Sequence, residues 1–416
     1  MLVRMFYLFF CLFTCYSHLA AEPFNATITP LNESFTQMLD SQITSVEYGV
    51  VGTMVDASPM FKTFLKQNPH LNSLDLLTPQ VMTKMFFTSE WPDPCDGYTK
   101  QLVLRTRDKK VLVFYEDCNT FTHRSDFIIP VENFDNFETI LLYCHTVGYS
   151  EGADENYNFF VDYGIPDDPS TLVCLIYNHL DKLPEDLTPS MSNNILKLHR
   201  HNLGYDFGAW TDAIQCLKLD KRKKGFKLIL INDTVRGPFV HWFHQKNSNC
   251  SWTKIFTDMI TEEVKLVGTT IHICPDPRLY GPWNPHVQSM LLATDEVGFA
   301  IGMKARVFTV NSDKFTVIAR CEVGFSREIM SCGFNLDCLA PLIHGYDFRS
   351  PEKCLVRSGD VQYEGTYFGT SLNPYDVVFF KTNRGIAADQ LKIATCAQKT
   401  RLKKTALVKL SNLPLP

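Results

Sequence analysis

The sequence predicts an α/β fold: a mostly parallel sheet flanked by helices, preceded by a smaller α+β extension. Three observations carry this. Leu228-Ile229-Leu230-Ile231 is an unbroken apolar run that ends in Asn232-Asp233, as expected of a doubly buried strand reaching the edge of its sheet. From Phe137 onward, strand-length apolar runs alternate with helical patterns. Before that point, Leu102–Leu104 and Val111–Tyr115 flank the charged Arg105–Lys110 segment like the arms of a hairpin.

Taken in order, the chain divides into a leader at 1–21, a stem at 22–58, an extension at 59–135, the main domain at 136–395 and a tail at 396–416. Arg4 followed by the apolar Met5–Phe13 run and the small residues at Ala20-Ala21 predicts a signal peptide cleaved near Ala21 or retained as a single-span membrane anchor. Either places the remainder in the secretory-pathway lumen, Golgi or ER, or outside the cell. Fourteen cysteines without C-x-x-C pairs favour disulfides over zinc, twelve of them beyond the leader. Sequons at Asn25, Asn32 and Asn249 agree. A net charge of -5 gives no electrostatic case for a nucleic-acid partner.

Within the extension, Met60–Leu71 and a segment from Thr78 read as helices. The basic residues of Arg105–Lys110 read as a solvated loop rather than a binding patch. In the main domain, Thr139–Tyr143, Leu172–Tyr177 and Ile195–His199 read as strands. Ala153–Gly164 reads as a helix capped by Asp154, and a second helix, capped by Asp206, runs to Leu217. Further on, Val264–Ile271 reads as a strand, Trp283–Met290 as a helix start and Val317–Met330 as a loop entering a helix. Gly333–Leu339 reads as a turn and short strand, and Tyr375–Phe380 as a late strand.

Six short segments, Asn156–Gly164, Arg200–Trp210, Leu230–Phe239, His286–Met290, Glu322–Leu336 and Tyr375–Arg384, stand in an order that resembles the rhamnan synthesis protein F family of glycosyltransferases. The resemblance spans about 140 to 390. It implies a GT-A-like, Rossmann-type nucleotide-sugar fold, a nucleotide-sugar donor, a glycan acceptor and assistance from Mn²⁺ or Mg²⁺. It leaves residues 22–135 without a role.

On that reading Asp233 takes the place of the usual D-x-D metal motif, with Asn232 beside it supplying a neutral oxygen. A turn cap is the structural alternative. Arg200, Asn202, Gly204 and Asp206 line the nucleotide pocket, Gly204 admitting the ligand to the backbone and Arg200 facing a phosphate. Their alternative is a surface arginine, a turn glycine and a helix cap. Glu322 is the candidate general base, or a glutamate placed by a helix dipole. His286 and His344 are candidate metal ligands, or structural histidines. Arg236, Lys381 and Arg384 would neutralise the leaving diphosphate, if they are not surface residues. A non-catalytic carbohydrate-binding protein on the same fold and a disulfide-rich interaction protein remain as readings of other classes.

Overall fold

A computed structural model describes residues 42–411, apart from 69, 72, 88–98, 118–119, 130–133, 181–182, 184–193, 223–224, 242–250, 275–282 and 355–358. The leader, the sequons at Asn25, Asn32 and Asn249, and most of the loop at 183–194 lie outside the described residues.

The first layers come from the extension. In chain order they are strands Ile43–Gly49 (β1) and Val55–Asp56 (β2), helices Ser58–Gln67 (α1) and Pro79–Phe87 (α2), and strands Gln101–Thr106 (β3), Lys110–Asp117 (β4) and Thr120–Ile128 (β5). The strands form one antiparallel sheet in the order β2-β1-β3-β4-β5. Residues 43–56, within the span 22–58 expected to be a stem, belong to this sheet because Val46 and Tyr48 alternate into the core. The two-residue period sorts β3 and β4 as well. Leu102, Leu104, Leu112 and Phe114 pack under α1 and α2, whereas Val103, Val111, Val113 and Tyr115 face the main domain.

The main domain runs Thr139–Thr146 (β6), Glu151–Tyr163 (α3), Thr171–His179 (β7), Ile195–His201 (β8), Tyr205–Leu217 (α4), Lys227–Asn232 (β9), Val235–Arg236 (β10) and Trp252–Thr257 (α5). It continues with Val264–Gly268 (β11), Ile271–Cys274 (β12), Asn284–Val287 (β13), Leu291–Asp295 (β14), Glu296–Lys304 (α6), Val323–Ser331 (α7) and Asn335–Cys338 (β15). Pro374–Val377 (α8), Phe380–Lys381 (β16) and Ala388–Ser411 (α9) complete it. Seven strands build the central sheet in the order β15-β11-β14-β9-β6-β7-β8. Six point the same way and β14 alone is reversed, pairing antiparallel with β9 and β11. The mixed α/β architecture is therefore the expected one.

One face of the sheet buries Leu142, Cys144, Leu228 and Leu230 against α4. The other buries Tyr143, Ile229 and Ile231 against α3 and α5. Helix α4 is buried from Phe207 through Leu217, not on one apolar face only, because the extension covers its far side. Cys144, Cys174, Cys216, Cys321, Cys332, Cys338, Cys354 and Cys396 are free thiols, so no disulfide forms among the described cysteines that were expected to pair.

Four segments depart from the expected elements. Trp283–Met290 starts no helix: β13 is claimed by pairing with β12, in the register Ile271↔Val287 and His272↔His286. Val317–Met330 is helical throughout, because Asp313 caps a turn at Lys314–Thr316 that widens over Val317–Glu322 before α7. Tyr375–Phe380 begins as α8, which Asn373 caps through its side chain and Pro374 pre-sets. Ser150 rather than Asp154 caps α3, its Oγ accepting from the Ala153 N–H at 3.2 Å.

Candidate functional site

In an open α/β sheet, the carboxyl ends of the strands form a crevice where the order of connection reverses. Here that point lies between β6 and β9: β7 and β8 follow on one side, and β9 sits on the other. Asp233 is the first residue past β9. Its Oδ2 accepts the Thr146 N–H at 2.7 Å and lies 3.0 Å from His145 Nδ1, both on β6. His145 Nε2 stands 3.2 Å from Asp154 Oδ1, and the ring stacks on Tyr157 with centroids 4.4 Å apart. The Asp233 carbonyl accepts from Asn156 Nδ2 at 2.9 Å, and the same amide reaches Thr382 Oγ1 at 2.7 Å. Asp233 is buried, fixed by β6 and α3.

Asn232 turns the other way. Its Nδ2 donates to Asp206 Oδ2 at 2.8 Å, and its Oδ1 accepts from the Thr234 N–H and Oγ1 at 3.1 and 2.6 Å. Asn232-Asp233-Thr234 is formally a sequon, but both ends of the Asn232 amide are engaged within the protein. Asp206 sits in the first turn of α4, where Gly204 in the left-handed region, not Asp206, occupies the cap. Burial pushes the Asp206 carboxyl up to about 6, and Glu322 adds like-charge repulsion against the Asn232 hydrogen bond.

Glu322 lies at the junction between the widened turn and α7, and its Oε1 accepts the Ser289 N–H at 2.9 Å. Burial raises its pKa, opposed by Ser289 and by the positive charge of Lys381. Lys381, on β16, is lowered by burial, while Glu322, Asp360 and Asp206 favour its charged form. Arg384 NH2 stands 4.0 Å from Asp360 Oδ2, its guanidinium over the Tyr363 ring at 4.5 Å. The fold thus gathers Asp206, Asn232, Glu322 and Lys381 from four separate elements, with Asp233 on the far side of Asn232. Desolvated carboxyls beside an ammonium suit proton transfer and the holding of a developing anion.

Other expected residues stand elsewhere. Arg200 faces no phosphate: it is fully buried, giving Nε to Asp212 Oδ2 at 2.5 Å, NH1 to Asn178 Oδ1 at 2.6 Å and NH2 to the Leu203 carbonyl at 2.7 Å. Gly204 admits protein, not ligand; a Cβ there would stand 3.0 Å from Asn311 N and Val310 Cγ1. Asn202 is half-buried, its backbone N–H bound to the His179 carbonyl at 2.9 Å. Arg236 pairs with Glu155 at 2.6 Å and Asn156 at 2.9 Å.

The expected metal ligands do not converge. His344 bonds Asp337 at 3.1 Å beyond edge strand β15, three strands and roughly 14 Å from β9 by the usual inter-strand spacing. His286 is buried against His272 in the β12–β13 hairpin, its Nδ1 3.1 Å from the Asn284 carbonyl. Among the described residues no three His, Cys, Asp or Glu side chains are grouped to hold a metal ion.

Sequence reasoning missed His145, Asp360 and the role of Ser289. His145-Thr146 carries the same signal as Asn232-Asp233, polar residues at the end of a buried strand, two residues beyond where the apolar pattern was cut. Asp360 and Ser289 sit in loops with no comparable pattern.

No curated protein sequence matches the chain. Residues 181–342 match the family model described as rhamnan synthesis protein F, so the segment carrying Asp206, Asn232, Asp233 and Glu322 is similar to that family.

Proposed function

We propose that the protein is a glycosyltransferase that moves a sugar from a nucleotide-sugar donor to a hydroxyl of a glycan or glycoconjugate. The match of residues 181–342 to rhamnan synthesis protein F supports this reading. So does a seven-stranded, mostly parallel sheet flanked by helices, as a GT-A-like fold is expected to have. The observation that carries it is the meeting of Glu322 and Lys381 with the Asp206–Asn232 pair at the carboxyl ends of the strands.

In this reading Glu322 takes the proton of the acceptor hydroxyl as its oxygen bonds to the anomeric carbon. The bond from that carbon to the diphosphate oxygen breaks, and Lys381 offsets the charge left on the diphosphate. Asp206, oriented by Asn232, bonds the nucleoside. Asp233 holds the β6–β9 crevice together through His145 and Thr146. No step is routed through a metal ion; Mn²⁺ or Mg²⁺ enters as a variable of the test. The expected leader supports a lumenal setting, in the Golgi or ER, anchored or secreted.

One observation favours a second reading, a carbohydrate-binding protein without turnover: Asp233 Oδ2 is already engaged by two protein donors. A panel of nucleotide sugars, with and without Mn²⁺, separates the two. The enzyme hydrolyses at least one donor, and Glu322→Gln keeps donor binding while losing turnover. Glycan binding with no donor bound would establish the second reading.

A further inference from the structure

We propose that the cavity between the five-stranded sheet and the C-terminal end of α4 binds a multiply charged oxyanion ligand, one bearing phosphate or sulfate groups. The cavity has a volume of about 520 Å³, the size of a small-ligand site. Arg105, Arg107, Lys109, Lys110 and Lys218 line it, above buried Val111 and Phe134. Against five cations the neighbouring acids are Glu47, 3.7 Å from Arg105, Asp108, 3.4 Å from Lys110, and Asp220, whose charge acts on Lys218 and Arg105.

Arg105 gives the site a buried guanidinium. It is 7% exposed, one terminal nitrogen donates to the Gln215 carbonyl at 2.6 Å, and its buried Nε–H makes no hydrogen bond, Glu47 Oε2 standing 3.7 Å away. A buried guanidinium donor left unmade is costly, and a planar donor fork is suited to phosphate or sulfate oxygens. Lys218 is held below the usual lysine range by burial and then by the charge of Arg105. A bound oxyanion would relieve both. The site is separate from the strand-end crevice: Asp206 lies in the first turn of α4 and Lys218 just past its last, about 18 Å apart at the rise of an α-helix.

The test is calorimetry on the full chain with inorganic tripolyphosphate, inorganic sulfate and a sulfated disaccharide, at low and high salt. The expected result is saturable binding of tripolyphosphate or the sulfated disaccharide, weakened by salt and by at least about tenfold in Arg107→Gln/Lys110→Gln. These two side chains lie at the rim, so the unliganded melting midpoint stays unchanged. Preference for tripolyphosphate points to a phosphorylated ligand, and preference for the disaccharide to a sulfated glycan. Absence of saturable binding for all three probes overturns the proposal. So does equal weakening in the distant charge control Lys304→Gln/Lys353→Gln.

Discussion

His145 Nδ1 lies 3.0 Å from Asp233 Oδ2, joining the ends of the two strands between which the sheet reverses its order. Because Nε2 of the same ring faces Asp154 at 3.2 Å, both nitrogens look toward carboxylates. Removing the ring leaves Asp233 Oδ2 with the Thr146 N–H alone and loosens the crevice. His145→Ala is expected to lower turnover by about 10–100-fold, the scale for a residue that orients another, with His145→Asn restoring part of it. Steady-state kinetics on both variants checks this.

Glu322→Gln keeps an oxygen for the Ser289 N–H and removes the base. Turnover should fall by about 10²–10⁴-fold while the donor affinity stays within a few-fold. Single-turnover kinetics beside donor titration reads the two effects separately.

Asp212 accepts Arg200 Nε, Tyr115 OH and Gln101 Nε2, all buried. Asp212→Ala strands a fully buried guanidinium, which should cost about 3–5 kcal/mol. Urea unfolding should show the midpoint falling, with loss of the single transition if the extension separates first.

The Asp206 carboxyl sits at about 6 in the folded chain against an ordinary 3.8. Between these values the folded state binds more protons than the unfolded one, so its contribution is fully present below the ordinary value and is lost as pH rises through about 6. Asp206→Asn should flatten the fall of stability with pH across that window. Unfolding free energies of both proteins, measured at several pH values within it, check the sign.

The architecture was legible where periodicity alone decides it. The runs at Leu228–Ile231 and Leu172–Tyr177 are doubly buried strands, and Leu102 and Val103 sort to opposite faces by simple alternation. Local pattern failed where distant partners decide. Asn284–Val287 is a strand only because β12 lies beside it. Arg200 looks like a phosphate ligand until Asp212, twelve residues on, and two residues of the extension enclose it. The site was half legible: Asp206, Asn232 and Glu322 stand out as polar residues at element ends, whereas the Ser289 amide that fixes Glu322 has no signature in the sequence.

Helix α4, covered by the central sheet on one side and by the extension on the other, has no side adapted to water. A shortened chain beginning after residue 134 would keep the central strands yet present Asp212 without Tyr115 and Gln101. Its first turn carries Asp206, so the pocket would lose its footing along with the missing layer. A shortened fragment must therefore retain residues 42–134, and substitutions at Gln101 or Tyr115 would be felt at Asp206, six residues or about 9 Å along the helix from Asp212.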